Sequence, residues 1–271
     1  MTDTRYLQAN GVRIAYSVTG AGEPLVLVHG FTGNSDDWEL VVDELARDRT
    51  VVTFDHRGHG ASTNTGDPST YTLGQLADDL DALVEHLGFW CFDLVGHSMG
   101  GVVAQRYVLE HPEKVASLVL MDTFGAVPDG GLGLFEAGIA MVRNGGFAQL
   151  LDTIAPFLRQ GANPGDIERS VRASYARMDP VAFEALGSEM ARMPSLLAEL
   201  GTVRAPTTIM VGELDGPFRG AAEQLAAAIP GAELVVIPGA GHSPPREATD
   251  AWLRAVADHL TRSGRPVPPA G

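Results

Sequence analysis

An α/β fold with a mostly parallel sheet, covered by helices on both faces, is what this sequence predicts. Three observations carry that prediction. Short apolar runs of strand character alternate with amphipathic stretches of helical spacing, first over residues 25–121 and again over 206–260. One of these runs, Phe92-Asp93-Leu94-Val95, passes through Gly96-His97-Ser98-Met99-Gly100 straight into the helical stretch Gly101–Leu109. Between the two alternating regions lies Phe124–Val203, which holds helical pieces and glycine–proline breaks but no convincing strand.

The elements follow in order. Tyr6–Ala9 and Val12–Val18 read as strands joined at Asn10-Gly11, a hairpin signal because both residues tolerate positive φ. Leu25–Val28 is a fully apolar strand. Asp36–Arg47 has helical spacing through Trp38, Val41, Val42 and Leu45, and Thr50–Phe54 is the next strand. Leu73–Leu87 is a helix with Leu76, Leu80, Leu83, Val84 and Leu87 on one face. After the strand–turn–helix around Ser98, closed by His111-Pro112, comes the strand Val115–Met121. The strand-free segment carries amphipathic pieces at 134–142, 147–158, 167–177 and 181–193. It reads as a helical cap over one edge of the sheet, the alternative being extra helices on a sheet face. Strands resume at Pro206–Val211 and Glu233–Ile237, with helices at Ala221–Ile229 and Thr249–Leu260. The expected organisation is thus a core of residues 1–123 and 204–262, a cap insertion at 124–203, and a disordered tail at 263–271, rich in proline and glycine.

Composition narrows the function. The chain has 271 residues, 45% hydrophobic and 20% charged, enough for one large core. Nineteen Lys+Arg stand against 34 Asp+Glu, a formal net charge of −15, which argues against nucleic-acid or anionic-membrane partners. The single cysteine, Cys91, excludes an intrachain disulfide and suits a reducing cytoplasm, the expected location. Cys91 itself reads as a small buried residue. No signal-peptide pattern opens the chain and no apolar run approaches a membrane span. Nothing in the sequence indicates an oligomeric state.

The chemistry starts at Ser98. A G-x-S-x-G turn between a strand and a helix holds the serine oxygen out from the sheet edge, at the positive end of the helix. A serine hydroxyl is a weak nucleophile and needs a base, which in turn needs an acid to orient it. In parallel sheets such groups gather beyond the carboxyl ends of the strands. His242 in Gly239-Ala240-Gly241-His242 follows the last strand and is the candidate base. His86, His111 and His259 lie on helices or at helix ends and read as solvated. His97 adjoins Ser98 but is expected to point elsewhere. His29, His56 and His59 sit in loops at strand ends, where they could line the site without acting as the base. The candidate acid is Asp215, just past Thr207–Val211. Its competitor is Asp122, which ends Val115–Met121, and Glu213 ranks below both. Two backbone N–H groups are needed for a developing oxyanion. Met99 supplies one, and Phe31, in His29-Gly30-Phe31-Thr32-Gly33, is the candidate for the other.

With these residues in this order, the chain resembles the α/β-hydrolase superfamily over nearly its whole length. His29-Gly30-Phe31 resembles the oxyanion loop of the subgroup with a single glycine before the donor, and departs from the His-Gly-Gly-Gly loop of another branch. Asp55-His56-Arg57-Gly58-His59-Gly60-Ala61-Ser62 resembles the family's Asp-x-Arg-Gly-x-Gly-x-Ser loop, which the resemblance implies is a structural support. The resemblance also implies a cap where the helical segment lies. A small departure is Gly216 between Asp215 and Pro217, where relatives often have Asp-Pro directly. Family dehalogenases and epoxide hydrolases carry an aspartate at the nucleophile position, where this chain has Ser98. The menaquinone-pathway lyase shares a similar His-Gly-Phe-Thr-Gly loop but has an arginine four residues after its serine, where this chain has Val102.

The expected activity is that of a serine hydrolase acting on a carboxylic ester or lactone of a small, largely apolar molecule, through an acyl-enzyme and with no cofactor or metal. Gly20-Ala21-Gly22 does not open a helix and is no dinucleotide fingerprint. Other readings on the same framework are carbon–carbon bond hydrolysis of a dienone acid, perhydrolase activity, the lyase, and a ligand-binding receptor. Cap aromatics and Met141 (Phe135, Phe147 and Phe157 being the aromatics) are where substrate choice is expected to reside.

Overall fold

The computed structural model describes residues 3–128, 130–158 and 164–263. The expected disorder of the tail, beyond Ser263, lies outside the described residues, as do the side chains of Phe157 and its neighbours.

Among the described residues eight strands form one sheet. They are β1 (Arg5–Ala9), β2 (Val12–Thr19), β3 (Glu23–Val28), β4 (Arg49–Phe54), β5 (Phe92–His97), β6 (Val115–Met121), β7 (Thr207–Gly212) and β8 (Glu233–Ile237). Their spatial order is β1-β2-β4-β3-β5-β6-β7-β8. Only β2 runs against the rest: it pairs antiparallel with β1 and with β4, and every other pairing is parallel. The hairpin joining β1 and β2 turns at Asn10 and Gly11, both at positive φ (50° and 77°), as the Asn-Gly pair predicts.

The inner parallel strands β3 to β7 are mostly buried on both faces, which explains their apolar runs. Successive side chains go to opposite sides. On one side Val26, Val28, Leu94 and Leu120 pack under helices α1 (Leu73–His86) and α2 (Met99–Glu110). On the other, Leu25, Leu27, Val95 and Met121 pack against Trp38, Trp252 and Val256. Trp252 and Val256 belong to the last helix, Thr249–Arg262. Thr72 begins α1 with a reciprocal capping pair to Gln75, fixing where the helix starts.

Between β6 and β7 the chain forms three long helical spans. These are α3 (Gly131–Leu158), α4 (Pro164–Tyr175) and α5 (Pro180–Arg192). The span α3 is two helices broken at Gly146, whose φ of 68° and ψ of −173° are not helical. The two pieces expected at 134–142 and 147–158 are therefore real but run on from one another. Among the described residues no strand interrupts the segment, and no helix is long and apolar enough to cross a membrane.

Two expectations need correction. Asp36–Arg47 is not one helix: it forms a single 3-10 turn, Ser35–Trp38, and a short α-turn, Val42–Leu45. The apolar spacing does mark the core-facing residues, because Trp38, Val41, Val42 and Leu45 are all buried. The fully buried Asn34, which accepts from Asp36 N–H at 2.9 Å, instead starts a tighter turn. The helix α6 (Gly216–Ala228) begins five residues before the expected Ala221. Pro217 sits in its first turn, where a missing N–H costs nothing. Helix α7 is the terminal helix Thr249–Arg262.

Candidate active site

The carboxyl ends of β3, β5, β6, β7 and β8 collect the predicted residues at one edge of the sheet. Ser98 leaves β5 with φ 52° and ψ −118°, and its carbonyl starts α2 by accepting from Gly101 and Val102. That φ is strained for a residue with a side chain, and the surroundings enforce it. A Cβ on Gly96 would stand 2.5 Å from the Gly100 carbonyl oxygen, and one on Gly100 would collide with the carbonyls of Val28 and His29. The two glycines let strand and helix approach closely enough to make the turn. Thr123 Oγ1 donates to the Ser98 carbonyl at 2.7 Å, a further tie.

His242 Nε2 lies 3.2 Å from Ser98 Oγ, and His242 Nδ1 lies 2.7 Å from Asp215 Oδ2. The Nδ1–H therefore donates to the carboxylate and Nε2 is left to accept from the serine hydroxyl. Asp215 is 7% exposed at its side chain, whereas the His242 ring is 41% exposed, facing the space above the sheet. The loops bearing Asp215 and His242 are tied together by Glu213 N–H to the Ile237 carbonyl at 3.0 Å and Leu214 N–H to the Ala240 carbonyl at 2.8 Å. Burial opposes the imidazolium of His242, but the Asp215 hydrogen bond and charge outweigh it and raise its pKa. For Asp215, burial would raise the carboxyl, and the His242 hydrogen bond and charge bring it below the ordinary range.

Glu213 is exposed and accepts from Gly239 N–H, so it does not reach His242. Asp122 does come near. One of its oxygens, one of Asp215 and a ring nitrogen of His242 lie within 4.8 Å of one another. Among the described residues this is the one group of three side chains that a metal ion could join. The 2.7 Å contact between Asp215 and His242 already satisfies the facing atoms as a hydrogen bond, so a cation would have to break it.

Gly30 packs against Ser98: a Cβ there would be 3.0 Å from Ser98 Cβ. The loop that carries Phe31 is thereby pressed against the serine. Met99 opens α2, where backbone N–H groups have no partner within the helix. The Phe31 ring stacks on Phe183 of α5, with centroids 4.9 Å apart, so the ring anchors the loop to the helical segment.

A cavity of about 690 Å³ opens over Ser98, His242 and Asp215. One face of α4 forms much of its wall. Ile167, Ser170, Val171, Ser174 and Tyr175 all line it, and their spacing is that of a single helix face. The helical segment is linked to the Phe31 loop by Asn34 Nδ2, which donates to Ser174 Oγ at 2.9 Å, and by Arg177, which donates to Asn34 Oδ1 at 3.2 Å. Of the expected cap side chains, Phe135, Met141 and Phe147 pack into the apolar cluster and do not line the cavity, Phe147 meeting Tyr175 and Phe183 of the helical segment itself. Their apolar character fits both places, so composition could not separate them.

The histidines divide further. His97 lines the same cavity, its ring centroid 5.0 Å from that of His242, and it holds the His242 loop in place. Its Nε2–H donates to the His242 carbonyl at 2.7 Å. Sequence reading missed this, and its only signal was adjacency to Ser98. His259 is buried, not solvated: it is 3% exposed and its Nδ1 pairs with Thr208 Oγ1 at 2.8 Å. The spacing 252, 256, 259 places it on the face of α7 that meets the sheet. His29, His56 and His59 form a fully buried group under the Phe31 loop, with His29 and His56 ring centroids 4.4 Å apart. Beside them Arg57 forks onto Asp79, Nε to Oδ2 and Nη2 to Oδ1 both at 2.7 Å, both residues buried. Cys91 is buried, as expected.

Known proteins agree with this architecture. A family model described as the alpha/beta hydrolase fold matches residues 23–248. A putative 2-succinyl-6-hydroxy-2,4-cyclohexadiene-1-carboxylate synthase of Bacillus subtilis (strain 168) is 26% identical over 265 residues, covering 93% of this chain and 96% of that protein. A non-heme haloperoxidase of Rhodococcus erythropolis is 30% identical over 264 residues, covering 86% and 90%. The structure of a thermophilic esterase from Thermogutta terrifontis superposes with a TM-score of 0.85 at 28% identity, covering 96% of this chain and 99% of that one. With the strand order, the strained serine turn and these likenesses together, the chain belongs to the alpha/beta hydrolase fold family.

Proposed function

We propose that this protein is a serine hydrolase that cleaves a carboxylic ester or lactone of a small, largely apolar molecule. The observation that supports it most is the continuous relay from Asp215 through His242 to Ser98, 2.7 and 3.2 Å long, at the floor of the cavity. In this reading Ser98 Oγ attacks the substrate carbonyl while His242 Nε2 takes its proton. The Phe31 and Met99 N–H groups hold the oxyanion. His242 then protonates the leaving alcohol, and water, activated by the same imidazole, releases the acid from the acyl-enzyme. Residues 124–203 act as a cap over a core of 1–123 and 204–262, and the Ile167–Tyr175 face of α4 contacts the acyl or alcohol group. The protein acts on a small molecule and needs no cofactor for this chemistry.

The likeness to a haloperoxidase favours one second reading, in which hydrogen peroxide replaces water at the same acyl-enzyme. The lyase reading is weakened by Val102, which is fully buried in the core and places no cation at that position. The test is a panel of esters, lactones and dienone acids on purified protein, with and without peroxide, and with Ser98→Ala as control. Turnover of esters or lactones that vanishes in Ser98→Ala supports the proposal. Turnover confined to dienone acids, or binding without turnover, overturns it.

A further inference from the structure

Asp122 has no part in the relay just described, yet it is built into it. It ends β6 with φ 46°, in the left-handed region that costs a side-chain-bearing residue free energy. It is fully buried, and its Oδ1 accepts from Gly212 N–H at 2.8 Å, at the end of β7. Its Oδ2 is also buried, and among the described residues no group donates to it. A bare carboxylate oxygen without a donor is costly in such a place. A protonated one offers an O–H, and the Asp215 carboxyl, with an oxygen within 4.8 Å, is the acceptor at hand.

The charges point the same way. Two carboxylates this close, out of water, do not both ionise. Asp215 faces the Nδ1–H of His242 and keeps the charge, so the proton stays on Asp122. Burial, together with the Asp215 charge and against that of His242, pushes Asp122 well above the ordinary carboxylate range. Other titratable groups near His242 and Asp215 are His97 and Glu247, with Asp37 and Arg246 on the same cavity wall. His97 is held neutral by burial, and Glu247 accepts from Gly241 N–H.

We propose that Asp122 is a neutral carboxylic acid whose O–H donates to the Asp215 carboxylate, a positioning residue that fixes the acid against His242 and tempers the basicity of that imidazole. The role rests on the relay reading of the site. Without the donated hydrogen bond, Asp215 would hold a denser charge and His242 would hold its proton to higher pH. With it, the imidazole is freer to act as a base near neutrality.

The test reads His242 directly. Protein carrying isotope-labelled histidine is titrated by NMR from pH 6 to 9, with the His242 signal identified by its absence in His242→Gln. Asp122→Asn keeps a neutral donor, and its carbonyl oxygen still accepts from Gly212, so it should titrate within about 0.3 pH units of the parent. Asp122→Ala removes the donor and should raise the His242 midpoint by about half a unit to one unit. The acid limb of kcat/KM should move in the same order, with Asp122→Asn recovering what Asp122→Ala loses. A fall of about a unit in Asp122→Asn would mean that a charge had been removed, and would overturn the proposal. So would identical titrations in all three. Should Asp122→Ala fail to fold, the direction in Asp122→Asn decides alone. The titration needs no turnover, so absent ester cleavage refutes the relay reading while a wrong titration refutes this one.

Discussion

Mild acid should destabilise this protein, because its core holds histidines that burial keeps neutral. Burial lowers His29 to about 4, His59 to about 3 and His259 to about 4, and takes His56 well below its usual value. A histidine in the unfolded chain titrates near 6.5. Each lowered group therefore contributes its full stability above that value, and loses it as pH falls from 6.5 towards the folded pKa. For His29, His59 and His259 the loss is about 0.8 kcal/mol each at pH 6 and about 2 kcal/mol each at pH 5. Three such groups at pH 5 sum to about 6 kcal/mol, within the whole stability of an ordinary domain. His97, lowered to about 3, adds to this, whereas His242 and the raised carboxyls of Asp37 and Asp122 act with the opposite sign and offset part of it. The assay is urea unfolding followed by circular dichroism at pH 8, 6 and 5 and constant ionic strength. His56 supplies the control, since among the described residues neither of its buried ring nitrogens has a partner, and its ring centroid lies 5.1 Å from that of Phe54. His56→Phe should cost under about 1 kcal/mol at pH 8 and should fold to lower pH than the parent. Urea stability that stays level from pH 8 to pH 5 would refute the reasoning.

Other expectations concern the links around the site. Ser174→Ala removes one hydrogen bond to the fully buried Asn34 and should loosen the Phe31 loop, so kcat on a short activated ester should fall about fivefold, the equivalent of about 1 kcal/mol; an effect on long acyl esters alone would make Ser174 only a wall. Ile167→Ala, on the cavity face of α4, should shift the kcat/KM ratio of long to short acyl esters by roughly tenfold while sparing the short ones. Arg57→Ala leaves Asp79 charged and buried and should cost about 3–5 kcal/mol in urea unfolding, whereas a loss below about 1 kcal/mol would show that the ion pair matters little.

Much of this site could be read from the sequence because its chemistry is local. Ser98 declares itself by a turn that needs glycine on both sides within five residues, and Asp215 and His242 by following the last two strands. What stayed hidden depends on distant pairing. Asp122 and Asp215 are far apart in the chain and meet only because β6 and β7 are neighbours in the sheet. The tie from His97 to the His242 backbone spans 145 residues and has no local mark beyond the adjacency of His97 to Ser98. His259 and Phe147 show the other limit. Helical spacing assigns a face, and Trp252 with Val256 lie on the buried face of α7, but a polar residue on that face still needs its partner, Thr208, to be seen. In α3 the apolar residues were legible as helix, and whether they met core or cavity was not.

The central claim is that Ser98 is a nucleophile activated by His242 and Asp215, and active-site labelling tests it most directly. Purified protein is treated with a serine-directed alkyl phosphonate, digested, and mapped by mass spectrometry in parallel with Ser98→Ala and Asp215→Asn. One adduct mass on the peptide bearing Ser98 is expected, absent from Ser98→Ala and formed on the order of a thousandfold more slowly in Asp215→Asn. Labelling at another residue, or an unchanged rate in Asp215→Asn, would contradict the account.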